Sequence, residues 1–528
     1  MTRRAEGVSV HEKGCAIMDG NAPRPDGGEA AAAPPSPGAS VPSLFAALAK
    51  GSGWIVGGTY AARLVGLVNT LVVAWYLVPE DFGLFAIGLT FMQLITGFTE
   101  VGLSLAVVRF RDATDDDMDT LFTISAMRGA LLSLVMLAAA PLAVRIYGDA
   151  RLGVVFVGLA VVPLLTALIN PRFYEFERAG DFSREFVMMV AAKLASVAIT
   201  IGIAAATRSY AAIIAGVVAA AFAQCALSYV LRPVRPRATL ASWRKVFGFT
   251  GWITLVAIFA ALNNKLDAML FGRVIGTAAA GQLYVGEQLA ELATRDVSVP
   301  LARAIFPSLS ARQDDPGAVR EGFLQGVQAL AAVALPLAVG FALVAHLTVP
   351  LLFKPAWADA VPVIQIVGPV LGLQTVFAAT QGYAMAVGRV WIVALREAAF
   401  FAVRLPVVVW ALLAHGFVGG LYAVAGMGLV HCVLNALVYA RLSGDAAWRP
   451  VLTAWRSLVA TGAMAGAVWA LGRAVGAAFH PAPTLVALIG AGGLAYVATH
   501  AALWLMAGRP DGVEASVAAV AARRPDPA

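Results

Sequence analysis

Apolar runs of about twenty residues, repeated along almost the whole chain and joined by short connections, constrain this sequence more than any other feature. A helix needs about 20 apolar residues to cross the hydrocarbon core of a bilayer. Only helices or closed barrels satisfy every backbone polar group there. Fourteen such runs can be placed, at 54–77, 83–108, 121–146, 152–170, 186–206, 210–231, 247–272, 277–303, 328–352, 360–386, 390–414, 418–441, 457–478 and 483–507. With 60% hydrophobic and 13% charged residues and a mean hydropathy of +0.79, the 528-residue chain carries more apolar surface than a soluble core could bury. The expected fold class is an all-α polytopic membrane protein of about 14 transmembrane helices, arranged as two six-helix lobes plus a C-terminal helix pair. Secreted, cytosolic and nucleic-acid-binding classes are excluded.

Charge then sets the orientation, because Lys and Arg gather in cytoplasmic loops. With all fourteen spans and an interior N-terminus, 24 of the 38 Lys and Arg fall on the cytoplasmic side, 6 on the other side and 8 within spans. Omitting 277–303, the least apolar span, would move Arg441, Arg449 and Arg456 outside against that bias. The span is therefore kept, and both termini are cytoplasmic. The net charge of +7 follows from topology, so nucleic acid is not an expected partner. Cys15, Cys225 and Cys432 are too scattered for a disulfide framework or a metal cluster. The expected division begins with a disordered cytoplasmic tail over 1–43, rich in Ala, Pro and Gly and lacking a signal peptide's apolar stretch. A first lobe over 44–231, a cytoplasmic linker over 232–246 and a second lobe over 247–445 follow. An additional helix pair over 446–507 and a cytoplasmic tail over 508–528 complete the chain.

A weak internal repeat relates the lobes. LVVAWYLVPEDFGLFAIG (71–88) aligns with AMLFGRVIGTAAAGQLYVG (268–286) at a spacing near 198, which sets Gly83 against Gly281. APLAVRIYGDARL (140–152) likewise echoes TVPLLFKPAWADAV (348–361). Halves related by pseudo-symmetry are a transporter architecture, with substrate held where they meet. The run RLVGLVNTLVVAWYLVPEDFGLFAIGLTFMQLITGFTEVGLSLAVV (63–108) resembles the opening of bacterial polysaccharide-export flippases. So does NKLDAMLFGRVIGTAAAGQLYVGEQLAELATRDVSVPLARAIFPSLSARQDD (264–315), with its FPSLS after the eighth span. These flippases belong to the multidrug/oligosaccharidyl-lipid/polysaccharide superfamily, and the resemblance runs over roughly 48–445. It implies a twelve-helix core, the last pair being an addition seen also in the lipid-linked peptidoglycan-precursor branch. It also implies translocation of a polyprenyl-diphosphate-linked oligosaccharide across the bacterial inner membrane, for exopolysaccharide or surface-polysaccharide assembly, by alternating access. The partners it implies are that lipid-linked oligosaccharide, the membrane lipids, and a polysaccharide polymerase with its export machinery.

The charges inside the spans supply the candidate site. A charge at the middle of a membrane helix costs about 2.5–3.5 kcal/mol, so these groups must pair, reach an interface or face water. Arg63 lies about ten residues into the first span, too deep to reach the cytoplasmic interface. It either grips a phosphate through paired N–H donors or forms a structural ion pair, with Glu100 as partner. Lys265 and Asp267, with Asn263 and Asn264, make a polar belt in the seventh span. Positions two apart on a helix do not face each other, so the two charges are not expected to pair. The belt serves ligand contact or hydrogen bonding between helices, and Asp267 is the candidate for a coupling proton or cation. Glu287, Glu291 and Arg295 fall at i, i+4 and i+8 of the eighth span, a stripe that lines a cavity and partly pairs with itself. Arg63, Arg295, Arg404 and Lys265 are thus the pyrophosphate candidates. Asp267, Glu100, Glu287 and Glu291 are the coupling or cavity candidates. Arg128 and Lys193 are expected to snorkel to the interface. The net charge inside the spans is only +2, so the cavity is not strongly cationic.

Other signals carry less. DATDDDMDT (112–120) reads as a solvated acidic turn, and His431 with Cys432 as packing. No P-loop is present, and no catalytic residue, metal or cofactor is expected. Drive would come from an ion gradient or from consumption of the product. An ion-coupled multidrug exporter would need a cavity dominated by acids and aromatics. An integral-membrane polysaccharide polymerase or ligase would need a sizeable outer loop, and the outer connections here are short.

Overall fold

The computed structural model describes residues 53–99, 114–178, 183–234, 236–241, 251–294, 315–475 and 480–509, and every regular element among them is helical. The first half comprises α1 (Gly53–Tyr76), α2 (Pro79–Thr99), α3 (Asp115–Tyr147), α4 (Arg151–Leu159), α5 (Val161–Ala167), α6 (Ser183–Thr207) and α7 (Ala211–Leu231). The second comprises α8 (Gly251–Lys265), α9 (Asp267–Val274), α10 (Thr277–Ala293), α11 (Pro316–Leu352), α12 (Ala360–Phe377), α13 (Ala379–Ala386) and α14 (Val390–Ser443). Two further helices follow, α15 (Trp455–Val475) and α16 (Pro481–Met506). Among the described residues nine helices are long and apolar enough to cross a bilayer, and α8 with α9 form a pair bent by 40° that makes a tenth when taken as one span. Large apolar side chains such as Val230, Leu413 and Leu494 lie exposed on the outside of these helices, as expected where the surrounding solvent is lipid. The chain is a multi-pass membrane protein.

Most helix ends fall within a few residues of the expected span ends, and the departures have local causes. Thr114 caps α3 in a reciprocal box with Asp117, and Asp115 pairs with Arg172 at 2.9 Å. DATDDDMDT is thus, over its described part, the N-terminal turn of a helix, where carboxylates meet the positive end of the dipole. The expected span 152–170 is broken at Ala160 into α4 and α5, and 360–386 at Ala378 into α12 and α13. Span 277–303 is described only as far as Thr294, with α10 ending at Ala293. Expected spans 390–414 and 418–441 appear as the single element α14. Its 54 residues would reach about 80 Å at 1.5 Å per residue, far beyond a bilayer core of roughly 30 Å. Gly416, at φ +66°, is where it doubles back. Contacts nearly equidistant from that residue prove the fold-back: Arg396 with Asn435, the Phe400 ring 4.7 Å from that of His431, and Leu412 against Gly420.

The two halves meet at one end of the bundle through a reciprocal crossing of α2 and α10. A Cβ on Gly83 would stand 1.7 Å from the Thr277 carbonyl oxygen, and a Cβ on Gly281 would stand 1.8 Å from that of Pro79. Glycine is required at both positions because backbone approaches backbone. The same end carries crosswise bonds between the halves. Tyr147 Oη donates to the Met269 carbonyl at 3.0 Å, and Trp357 Nε1 to the Ala74 carbonyl at 3.3 Å. Trp357 is fully buried, edge-on to Phe82 at 5.0 Å, so a single apolar core spans both halves here.

Just past α14, Asp445 ties three elements together. Tyr439 Oη donates to its Oδ2 at 2.7 Å, while Arg320 of α11 and Arg449 donate to Oδ1 at 3.1 and 2.8 Å. The Tyr439 hydroxyl first, then Arg320 and Arg449, holds the carboxyl below the ordinary carboxylate range. A carboxyl so depressed adds stability above its unfolded pKa and loses it as pH falls through the folded value. Asp445→Ala leaves the fully buried Tyr439 without its acceptor and is expected to cost about 1–3 kcal/mol at neutral pH. In thermal melts the gap from the unaltered protein should narrow below about pH 4.

Candidate functional site

The bend between α8 and α9, at Leu266, turns Asn263, Asn264 and Asp267 toward the interior of the second half. There they line a cleft of about 570 Å³, mouth included, together with Glu287 and Glu291 of α10, Gln374 of α12, and Phe400, Arg404 and His431 of α14. Arg404 Nη2 donates to Asp267 Oδ2, and both side chains are buried. This ion pair joins α9 to α14. The second carboxylate oxygen, Asp267 Oδ1, and the amide oxygen Asn263 Oδ1 are buried and accept no hydrogen bond among the described residues.

A second network stands beside this pair. Asn263 Nδ2 donates to Glu397 Oε2 at 2.8 Å and to the Glu397 carbonyl at 3.1 Å. Glu397 also receives Arg396 Nη2, and His431 Nε2 lies 3.3 Å from its Oε1. Arg396 reaches on to Asn435 Oδ1, and Asn435 Nδ2 donates to the His431 carbonyl at 2.9 Å. These contacts pin α8 to both arms of α14. Each buried ion has an opposite charge or a hydrogen bond beside it, the condition for keeping charge at low dielectric.

Glu287 and Glu291, four residues apart, both face the cleft, as their spacing predicts. The charged groups around Glu287 are Asp267, Glu291, Lys265 and Arg404. The lining therefore holds three carboxylates against one arginine and one histidine, an excess of acid. Lys265 is half-buried at the end of α8. The absence of a Lys265–Asp267 pair agrees with the helix spacing, since Asp267 pairs with Arg404 instead.

Arg63 lies elsewhere. It is half-buried on α1 and does not line this cleft. Lys193 of α6 lies alongside α1: its Cε and Nζ are 3.1 and 3.2 Å from where a Gly66 Cβ would stand. Gly66 is three residues beyond Arg63 and on the same helix face, so two cations share the seam between α1 and α6. One further turn on, Thr70 Oγ1 donates to Gln288 Oε1 of α10 at 3.1 Å. Arg128 donates to Thr99 Oγ1 at 2.9 Å and to the Thr96 carbonyl at 3.0 Å, both on α2.

Of the eight predicted site residues, the structure gathers Asp267, Glu287, Glu291 and Arg404 into one cleft, sets Lys265 beside it, and puts Arg63 in the other half. Glu100 and Arg295 lie outside the described residues. Sequence reasoning did not place Gln374 or His431 at the site, nor find the partners of Glu397 across helices. Gln374 was visible as the one amide side chain in the apolar run LGLQTVF. His431, read as packing, becomes a neighbour of Glu397 only through the turn at Gly416.

Comparisons with known proteins follow the same lines. The family described as polysaccharide biosynthesis protein matches residues 72–362, more than half of the chain. The chain is 22% identical over 325 residues to the lipopolysaccharide biosynthesis protein WzxC of Escherichia coli (strain K12), which covers 60% of this chain and 65% of that protein. It is 23% identical over 275 residues to the teichuronic acid biosynthesis protein TuaB of Bacillus subtilis (strain 168), covering 51% of this chain and 56% of that one. In both cases the matched stretch spans less than two thirds of the relative's own length. Among solved structures, the lipid II flippase MurJ in an inward closed conformation superposes with a TM-score of 0.64 at 11% identity, over 86% of this chain and 99% of its own. A mutant of the Vibrio cholerae MATE transporter VcmN superposes with a TM-score of 0.55 at 14% identity, over 77% and 98%. At such identities these two similarities establish the fold.

Proposed function

The chain belongs to the polysaccharide biosynthesis protein family, and on that premise we propose that it is a flippase rather than an enzyme, moving a polyprenyl-diphosphate-linked oligosaccharide across the bacterial inner membrane. The observation that carries this reading is the reciprocal crossing of Gly83 and Gly281. Two repeat-related halves touch backbone to backbone at one end, above a charged interior, and a rocking of one half against the other opens that end and closes the opposite one. In this reading α14 counts as two spans, α10 extends to about residue 303, and the total is fourteen. Both termini are cytoplasmic, and the crossing faces outward. Similarity in sequence to the lipopolysaccharide biosynthesis protein WzxC and in fold to the lipid II flippase supports the substrate class.

The residues then take distinct roles. Arg63, with Lys193 beside it, grips the diphosphate, and Lys265 extends the cationic path toward the second half. Arg404 holds Asp267 in place, and Asp267, Glu287 and Glu291 take up a coupling proton or cation. A polysaccharide polymerase and export machinery receive the product. The acid excess of the second-half cleft favours one other reading, ion-coupled export of a cationic compound, which uptake of a cationic dye into everted vesicles would reveal.

A deletion strain complemented with the unaltered gene, Arg63→Ala or Arg63→Lys, at matched membrane levels, tests the proposal. Surface polysaccharide is expected to fall at least about tenfold with alanine, the loss of a charge-assisted contact, with the lipid-linked unit trapped on the cytoplasmic face. Lysine should restore part of it. Normally translocated but unpolymerised units in the deletion strain would overturn the flippase reading.

A further inference from the structure

Three helices that run the same way, α1, α6 and α11, finish at the sealed end, at Tyr76, Thr207 and Leu352. Between their ends opens a second cleft of about 810 Å³, mouth included, lined by Val72, Trp75, Tyr76, Arg208 and Lys354. The lining has two cations, two amphipathic aromatic rings, one apolar side chain and no acid. Both cations keep donors available. The Arg208 side chain is exposed and makes no hydrogen bond or ion pair among the described residues. Lys354 donates to the Trp75 carbonyl, with its Nζ 5.8 Å from the centre of the Trp75 ring, and an ammonium has three donors. Trp75 is itself fixed by Nε1 to the Leu352 carbonyl at 3.0 Å. Of the other arginines at this end, Arg151 pairs with Asp149 at 2.8 Å and Arg473 lies 4.5 Å from the centre of the Trp469 ring, while Arg145 and Arg273 are exposed but do not line this cleft.

Arg208 also adopts φ +47°, one of two non-glycine residues among those described with positive φ. L-residues other than Asn and Asp seldom enter this region. Where this fold merely turns, as at Gly148 and Gly276, it uses glycine. An arginine held there carries backbone strain that a glycine would not, as does Arg509 just past α16. Trp and Tyr at helix ends sit at headgroup depth in a bilayer, and Val72 lies one helical turn deeper along α1.

We infer that this cleft binds the phosphate of a lipid, with Arg208 and Lys354 on its oxygens and Trp75 and Tyr76 flanking the headgroup. A bilayer phospholipid and the diphosphate carrier offer the same chemistry, and only the choice between them rests on the flippase reading. Arg208 belongs to the first half and Lys354 to the second, so the site is whole while the crossing is closed.

The test uses the full chain in phosphatidylcholine nanodiscs, with lipid binding read by native mass spectrometry for undecaprenyl diphosphate and for phosphatidylglycerol. With Arg63→Ala in the background to remove the separate diphosphate contact proposed above, at least one probe is expected to bind, and Arg208→Gln, Arg208→Gly and Lys354→Gln should each weaken it about tenfold. Arg208→Gly relieves the backbone and should leave Tm unchanged or higher, which separates lost binding from lost folding. Binding of the diphosphate alone supports the carrier as ligand, and binding of phosphatidylglycerol, alone or as well, supports a bilayer phospholipid. Failure of both probes to bind, or unchanged binding in Arg208→Gln, overturns the inference. The sidedness assay on Arg63 does not involve this cleft, so the flippase reading stands or falls separately.

Discussion

Gly83→Ala is expected to force α2 and α10 apart and to suppress export almost completely. The added methyl would stand 1.7 Å from the Thr277 carbonyl oxygen, where carbon and oxygen need about 3.3 Å even for a weak contact. That oxygen belongs to the backbone, so no rotamer change relieves the clash and the helices themselves must separate. Overpacking of this kind costs typically about 1–3 kcal/mol. Here the shift also strains the Tyr147–Met269 and Trp357–Ala74 bonds, which cross the same seam. A destabilisation of about 3 kcal/mol would reduce the sealed arrangement roughly a hundredfold. Cysteine pairs placed across the seam, read by cross-linking yield, would report that shift directly. Gly281→Ala should do the same by the 1.8 Å approach to the Pro79 carbonyl. Because one separation accommodates both methyl groups, Gly83→Ala/Gly281→Ala should cost little more than either alone, a strongly non-additive pair. Strict doubling of the effect would contradict a shared crossing.

The second large effect concerns Arg404 and Asp267. Removing one partner of a buried ion pair leaves the other charge uncompensated and costs about 3–5 kcal/mol, whereas replacing both by apolar groups is often neutral or stabilising. Arg404→Leu and Asp267→Leu are each expected to melt far below the unaltered protein, and Asp267→Leu/Arg404→Leu to recover most of that loss. If Asp267 serves coupling, the double variant folds and inserts yet exports nothing. Full export from it would leave the pair a purely structural tie between α9 and α14. Melting curves and export, measured on the same membranes, separate the two outcomes.

How far the site was legible follows from the cost of charge in lipid. Arg404, Asp267, Glu287 and Glu291 stand out because each interrupts an apolar run, and a bilayer tolerates few such interruptions. The cleft-facing register of Glu287 and Glu291 is likewise local, a matter of helix period. Partners are not local. Asp267 meets a residue 137 positions away and Asn263 one 134 away, through the packing of α8 and α9 against the first arm of α14. Neither pairing leaves a mark at short range. The place of Lys193 beside Gly66 and the bonds of Arg128 to Thr96 and Thr99 are likewise set by packing between helices.

Gly416 shows the same division in the fold. Two spans were separable in the sequence, at 390–414 and 418–441, because 54 mostly apolar residues are too many for one crossing, and the turn falls at Gly416 between them. Gly83 and Gly281 were recognisable as equivalent positions in a repeat. That they lie against one another, each forbidding a side chain on the other, is a property of how the halves dock. By itself the sequence determined that the chain is a helical membrane protein, roughly where its helices run, and which of its charges are costly, since length, hydropathy and period act over a single helix. Tertiary structure alone decided which charges neutralise one another, where helices break, and which end of the bundle is sealed, because those depend on contacts between segments hundreds of residues apart.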